Sequence, residues 1–226
     1  MCFSAEASFA GGAVITAIGV MTVKKNSVPS RKLFAGIPLI FGVQQVSEGF
    51  VWVALQSAGN NFMLTLATYI FLLAAVVLWP FMIPLAVLQM EGDARRRRVL
   101  RILLGIGILT SLYYGIGLLL YDVNPEISSH HIRYASTIPK QLATPAFIAY
   151  LAATLVPLFV SGIRRMKLFG TLMAASCLIT GIFYKEYLTS VWCFFAALIS
   201  IVIYRIISES EIAERDSFFK PQITQN

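Results

Sequence analysis

Glu48 is an ionisable residue inside a run of apolar residues, 33–56, that is long enough to cross a lipid bilayer. A charged side chain at that depth costs about 3 kcal/mol on insertion scales, so it marks a functional site with a partner. Gln44, Gln45 and Trp52 lie on the same stripe of a helix, because residues three and four apart are neighbours on one face. The pattern predicts a site in which Glu48 is the catalytic acid or base.

Three further residues have side chains that bind transition metals. Cys2 precedes the first apolar segment, and His130 and His131 stand together in a long polar connection at 122–140. Thiolate and imidazole suit zinc or copper. Their spacing matches no known ligand motif, since the chain has neither a His pair at i, i+4 nor Cys-x-x-Cys. Tyr134, in the same connection, is a candidate ligand-binding residue.

Three interpretations of this set stay open. The first is a metal site built from Cys2, the histidines and a carboxylate. The second is a general base or proton carrier at Glu48, oriented by Gln44 and Gln45. The third is structural, with the glutamines and Glu48 forming hydrogen bonds between helices and the histidines lying among lipid headgroups.

The composition assigns the chain to the membrane. Apolar residues make up 58% of its 226 residues and charged residues 13%, about half the charged share of a soluble domain. Runs of alternating polarity, typical of membrane barrels, are absent from the sequence. The fold expected is all-α, a bundle of seven transmembrane helices, with segments near 4–23, 33–56, 62–90, 99–121, 141–162, 168–184 and 188–207.

The distribution of positive charge predicts the orientation. With the N-terminus outside and the C-terminus in the cytoplasm, all but three of the 18 lysines and arginines fall inside, the exceptions being Arg133, Lys140 and Lys185. These cations sit at helix ends, where they contact anionic lipid, so nucleic acid is not an expected partner. We expect a multi-pass protein of the inner membrane.

The domain organisation is correspondingly simple. Residues 1–207 form one transmembrane domain and residues 208–226 a solvated cytoplasmic tail. Ser4 is a suitable N-cap for the first helix. Pro80 and Pro84 predict a kink in the third segment, and the connection 122–140 is expected to be an ordered cap rather than a flexible linker.

The chain resembles an uncharacterised group of bacterial integral membrane proteins that open with Met-Cys-Phe (or Trp)-Ser followed by Ala-Ser. The motifs that carry the resemblance are Met1 to Phe9, Gln44-Gln45-x-x-Glu48-Gly49-x-x-Trp52, and Trp79-Pro80-x-x-x-Pro84-Leu85-Ala86. The resemblance implies an integral membrane protein and assigns no activity.

The leading functional hypothesis is a polar pocket open to the outside. It would bind, or also transform, a small molecule, a metal ion or a lipid headgroup. A proton-coupled transporter using Glu48 is one alternative, and a sensor or assembly partner acting through the basic cytoplasmic loops is another. The last segment, 188–207, has no lysine for a retinal Schiff base, which excludes a rhodopsin-like function.

Overall fold

The computed structural model describes residues 4–57, 61–128, 131–136, 143–183 and 196–219. Within these residues the chain forms seven helices and one β-hairpin. The helices are α1 (Ala5–Lys25), α2 (Pro29–Gln56), α3 (Asn61–Met90), α4 (Ala94–Leu120), α5 (Ala143–Val160), α6 (Met166–Phe183) and α7 (Ala196–Phe219). The strands are β1 (Val123–Ser128) and β2 (His131–Ser136).

The helices pack side by side in a closed ring. Each contacts the next in sequence, and α7 returns to contact α1, while α3 also packs against α5. One apolar core holds buried residues from every helix, such as Ile15 of α1, Phe34 of α2 and Ile199 of α7. Burying one face of each helix against its neighbours is what stabilises such a bundle.

Helices α1 and α2 approach closely because small residues line their contact. A Cβ atom on Gly19 would stand 2.8 Å from the backbone nitrogen of Leu39, and one on Gly42 would overlap the side chain of Thr16. Glycine lets two helix backbones come together without that obstruction. Ser4 caps α1, its hydroxyl accepting a hydrogen bond from the Ala7 N–H at 3.2 Å, which confirms the expected N-cap.

Helix α3 is irregular where the sequence predicts a kink. A π-helical segment, Leu73–Leu78, ends immediately before Trp79 and Pro80, and Pro84 lies within the following helical turns. A π-helical turn shifts the backbone hydrogen bonding of the helix. Hydroxyl groups from neighbouring helices bond to this segment: Tyr150 donates to the carbonyl of Ala75 at 2.8 Å, and Ser111 to that of Val77 at 2.6 Å.

The connection after α4 is a two-stranded antiparallel hairpin, so the fold is mostly helical rather than purely all-α. Val123 pairs with Ser136 and Ser128 with His131 at the two ends of the ladder. Ile132 is fully buried in a cluster with Ala5 of α1 and Trp52 of α2. The hairpin therefore packs as an ordered cap over one end of the bundle.

Polar contacts join the loops at the opposite end. Helix α7 continues past Ser208, the expected start of a solvated tail, and its Glu209 forms an ion pair with Arg165 at 2.7 Å. Two residues further in the same extension, Glu211 is buried and accepts a hydrogen bond from the Ser27 N–H at 3.2 Å. The first part of the predicted tail is thus helical and in contact with the α1–α2 and α5–α6 loops.

Five of the helices, α1 to α5, are long and apolar enough to cross a membrane, and α6 contains a shorter apolar helix, Met166–Ile182. Large apolar side chains cover the outside of the bundle, including Leu109, Leu119, Ile148 and Leu178. Such an exposed apolar surface suits a lipid environment. The start of the seventh expected segment lies outside the described residues, so the count of seven spans stays a prediction.

Candidate functional site

The polar stripe of α2 is buried inside the bundle. Glu48 has no exposed surface, Trp52 is 3% exposed, and Gln44 and Gln45 are buried with them. Four polar or amphipathic side chains from one helix thus lie in the apolar interior, where each polar atom needs a hydrogen bond.

The two glutamines of the stripe form different hydrogen bonds. The Gln45 amide donates from Nε2 to Oε2 of Glu48 at 3.0 Å, so it orients the carboxyl group along its own helix. Gln44 reaches α3 instead, and its Oε1 accepts a hydrogen bond from the indole Nε1 of Trp79 at 3.0 Å. Gln45 therefore orients the Glu48 carboxyl group, while Gln44 connects α2 to α3.

A cavity of about 210 Å³ lies next to Gln44, between helices of the bundle. The described part of its wall is made by side chains from α2 to α7. Six of these described residues are aromatic: Phe41, Trp79, Tyr114, Phe147, Tyr150 and Phe169. The others are the polar Gln44 and Thr154 and the smaller apolar residues Ala75, Val76, Ile83, Met173 and Ile199.

The aromatic rings of this wall are held in defined positions. Phe41 packs on Trp79 with ring centroids 4.3 Å apart, and Tyr114 meets Tyr150 edge to face at 6.3 Å. Hydrogen bonds to Gln44 and to Ala75 fix the polar ends of Trp79 and Tyr150. A pocket walled by fixed rings with a few polar groups is the usual form of a small-molecule site.

The hairpin supplies two of the expected site residues. His131 is buried, and the ring of Tyr134 stacks on Phe71 of α3 at 4.9 Å. Tyr134 also packs against the cluster that contains Trp52. The structure thus gathers Trp52 and Tyr134 at the capped end of the bundle. Gln44, two turns earlier in α2 than Trp52, lines the cavity instead.

Several buried polar atoms near the capped end have no hydrogen-bond partner among the described residues. They are Oγ of Ser8, Nε1 of Trp52 and Oγ1 of Thr68. They come from α1, α2 and α3, and Trp52 and the neighbour of Thr68, Ala67, belong to one cluster. Such atoms are uncommon in native proteins and require an explanation.

The expected metal ligands are largely outside the described residues. Cys2 and His130 lie there, and only His131 of that set is described. In the described part of the chain, no three His, Cys, Asp or Glu side chains come together as a metal site would require. The zinc or copper site stays a prediction.

At the end opposite the hairpin, Glu91 is buried and caps the α5–α6 loop. It accepts hydrogen bonds from the N–H groups of Gly162 at 2.7 Å and Asp93 at 3.1 Å. Burial raises the pKa of its carboxyl group, but these bonds, the charge of Arg96 and the hydroxyl of Ser161 outweigh burial and hold the pKa below its ordinary value.

Glu211 has the same balance of effects. Burial raises the pKa of its carboxyl group, while the hydroxyl and N–H of Ser27 and the guanidinium of Arg31 lower it further than burial raises it. Both carboxylates thus join loops at the end of the bundle away from the hairpin.

The aromatic wall is the part of the site that sequence reasoning missed. One signal was available: Trp79 and Tyr150 lie inside apolar segments, whereas Trp and Tyr in membrane proteins concentrate at the lipid–water interfaces. Buried rings of this kind need partners for their polar ends, and both have them.

The model of the family of unknown function DUF6629 matches residues 1–217, nearly the whole chain. The chain belongs to this family. No curated protein and no solved structure matches it. The expected membership in an uncharacterised family is confirmed, while the opening motif at Met1 to Phe9 is not tested by the match. Membership in DUF6629 assigns no activity to Glu48 or to the aromatic cavity.

Proposed function

We propose that this DUF6629 protein is a multi-pass inner-membrane protein that binds a small organic molecule inside its helical bundle. The ligand would occupy the aromatic cavity, with Gln44 as the polar group on its wall and Glu48 one helical turn away. The observation that carries the proposal is the cavity itself, about 210 Å³ in volume, with six aromatic side chains in the described part of its wall.

The surroundings of the cavity support binding rather than a simple packing defect. Cores are normally packed without voids of this size, because an unfilled cavity loses contacts on every side. The hydrogen bonds from Trp79 to Gln44 and from Tyr150 to Ala75 hold the wall in place without a ligand. A preorganised wall lowers the entropy cost of binding.

The proposal differs from the sequence-based hypothesis in where the ligand sits. That hypothesis expects a pocket open to the outside, with Cys2, His130 and His131 in its wall. Among the expected site residues that the structure describes, Gln44 alone lines the cavity. Gln45 would then orient Glu48, while Trp52 and Tyr134 would belong to the packing of the capped end and not to the site.

A test compares the protein with a variant in which the cavity is filled. Ala75 lines the cavity, so Ala75→Leu places a larger side chain inside it. Leu73→Phe is the matched control, because Leu73 is two residues away on α3 and 49% exposed on the outer surface. Purified proteins are heated in detergent with a panel of neutral aromatic, aliphatic alcohol and organic cation probes.

A ligand that binds the folded state raises the free energy of unfolding, by about 2.7 kcal/mol at a hundred times its Kd, and the melting temperature rises with it. We expect at least one probe class to stabilise the unmodified protein and Leu73→Phe but not Ala75→Leu. A panel with no stabilising probe, or with equal shifts in Ala75→Leu, contradicts the proposal.

A proton-coupled transporter is the second candidate, and one observation favours it. Glu48 is fully buried within a membrane-crossing helix, close in sequence to a residue of the cavity wall. Carboxyl groups in that setting carry protons in many transporters. Solute uptake into vesicles that is driven by a proton gradient and lost in Glu48→Gln would support this candidate; uptake unchanged in Glu48→Gln would remove it.

A further inference from the structure

We infer that the ligand of the aromatic cavity is a small organic cation of the methylated or quaternary ammonium type. The inference rests on the proposed function, because it names the class of molecule that would occupy the same cavity. It follows from three features of the wall: its rings, the direction of its hydrogen bonds, and a neighbouring carboxyl group.

The first feature is the density of aromatic rings. Among the described residues no charged side chain lines the cavity, and six of those that do carry aromatic rings. The face of an aromatic ring carries negative charge density and attracts a cation within about 6 Å of its centre. Trp79 and Tyr150 are the stronger ring types for this interaction, and both are in the wall.

The second feature is that three donor groups of the wall are already engaged within the protein. Tyr150 donates its hydroxyl proton to the Ala75 carbonyl, and Thr154 donates to the Tyr150 carbonyl, each at 2.8 Å. The indole N–H of Trp79 is directed to Gln44. These three protons are therefore not offered to a ligand, and the Gln44 amide and the Tyr114 hydroxyl are the other donor groups of the described wall.

Such a wall discriminates against several kinds of ligand. Carboxylates and phosphates need positive charge or several donors, and a ligand acceptor left unpaired in a buried site costs affinity. A methylated ammonium has no such requirement. Its charge is spread over methyl groups that pack against rings, and recognition by aromatic cages is its usual mode of binding.

The third feature is Glu48, one turn along α2 from Gln44. Four residues of helix correspond to about 6 Å of rise between Glu48 and Gln44, so Glu48 lies about one turn beyond the described wall. Its Oε2 accepts from Gln45, a neutral donor. In its ionised form, a carboxylate at this distance favours a cation over an anion in the cavity.

The test compares choline with 3,3-dimethylbutan-1-ol, which has the same shape but a carbon atom in place of the ammonium nitrogen. Binding of each is measured by calorimetry on the full-length protein in detergent. We expect choline to bind about ten-fold or more tightly than the alcohol. Equal binding of the two, tighter binding of the alcohol, or no binding of either overturns the inference.

Fluorination of one ring then separates a charge effect from a packing effect. Tryptophans with increasing ring fluorination, introduced at position 79 by nonsense suppression, have progressively weaker negative faces. Choline affinity should fall stepwise while that of the alcohol stays constant. The same replacements at Trp52, which does not line the cavity, are the matched control and should leave choline binding unchanged. If the affinity for choline does not change with fluorination at Trp79, the inference is overturned.

The two proposals fail in different ways. If a neutral probe stabilises the unmodified protein but not Ala75→Leu, and choline binds no more tightly than the alcohol, the cavity is a ligand site and only the cation inference is wrong. If no probe distinguishes the unmodified protein from Ala75→Leu, the proposed function is wrong as well.

Discussion

Trp79 of α3 donates its indole N–H to the side-chain carbonyl of Gln44 on α2, at 3.0 Å, at the wall of a cavity inside the bundle. This bond joins the two parts of the candidate site, because Gln44 belongs both to the buried stripe that contains Glu48 and to the aromatic wall. The consequences for stability and binding can be measured separately.

Trp79→Phe should destabilise the protein more than Trp52→Phe. The first change leaves the buried Gln44 oxygen without this donor, which costs about 1–3 kcal/mol. Trp52 is also buried, but its Nε1 has no partner among the described residues, so removing that N–H relieves an unsatisfied group. Denaturant unfolding in detergent measures both; an equal loss in the two variants contradicts this account of the bond.

Ala75→Leu should raise the stability of the ligand-free protein while it removes ligand binding. Filling an existing cavity commonly adds about 0.5–2 kcal/mol, and a functional cavity is a place where stability is sacrificed for binding. The melting temperature without ligand is the measurement. A marked fall would mean that the space beside Ala75 cannot take three more carbon atoms and that the cavity is smaller than described.

Two glycines of α4 should respond in opposite ways to alanine. A Cβ on Gly107 would overlap the backbone carbonyl of Pro80, which cannot move without shifting α3, whereas a Cβ on Gly105 meets nothing within 4 Å. Gly105→Ala should stabilise by about 0.5–1 kcal/mol through helix propensity, and Gly107→Ala should destabilise. Thermal unfolding of the two variants tests the close contact of α3 and α4.

Acid should weaken the end of the bundle opposite the hairpin. The pKa of Glu91 is lowered in the folded protein from an ordinary value of 4.5, so its stabilisation is present above that pH and is lost as the pH falls through the folded value. We expect the melting temperature to drop below about pH 4.5 in the unmodified protein and to depend less on pH in Glu91→Gln.

Glu126→Gln is the control for this pH dependence, because Glu126 forms an exposed ion pair with Arg133 in the hairpin and exposed pairs contribute little. Its melting temperature should follow the unmodified protein across the acid range. An acid response of Glu91→Gln that is as steep as that of Glu126→Gln would show that Glu91 does not govern it.

Most of the helical framework could be predicted from hydropathy. The first six expected segments agree with α1 to α6 to within a few residues, because a continuous apolar run must be helical in lipid. The differences lie at the ends. Helix α4 begins at Ala94 rather than near 99, since the Asp93 side chain caps it by accepting from the N–H groups of Arg95 and Arg96. Hydropathy identifies the residues that lie in lipid. An N-cap forms in water at the end of a helix, so it can start the helix before the apolar run begins.

The hairpin and the cavity were not predicted, for different physical reasons. The strand Val123–Ser128 contains Pro125 and lacks a clear apolar alternation, so nothing local marks it as a strand; packing of Ile132 and Tyr134 on the bundle stabilises it. The cavity depends on where six rings from five helices meet. That arrangement arises from tertiary packing, which one sequence does not encode in any local pattern.

The fluorescence of Trp79 is the most direct measurement of ligand binding in the cavity. Trp52→Phe/Trp192→Phe leaves Trp79 as the one tryptophan of the chain, and its ring is part of the cavity wall. We predict that choline changes its emission in a saturable way, and that adding Ala75→Leu abolishes the change. Emission that never saturates, or an identical titration in the cavity-filled variant, would contradict a ligand site in the aromatic cavity.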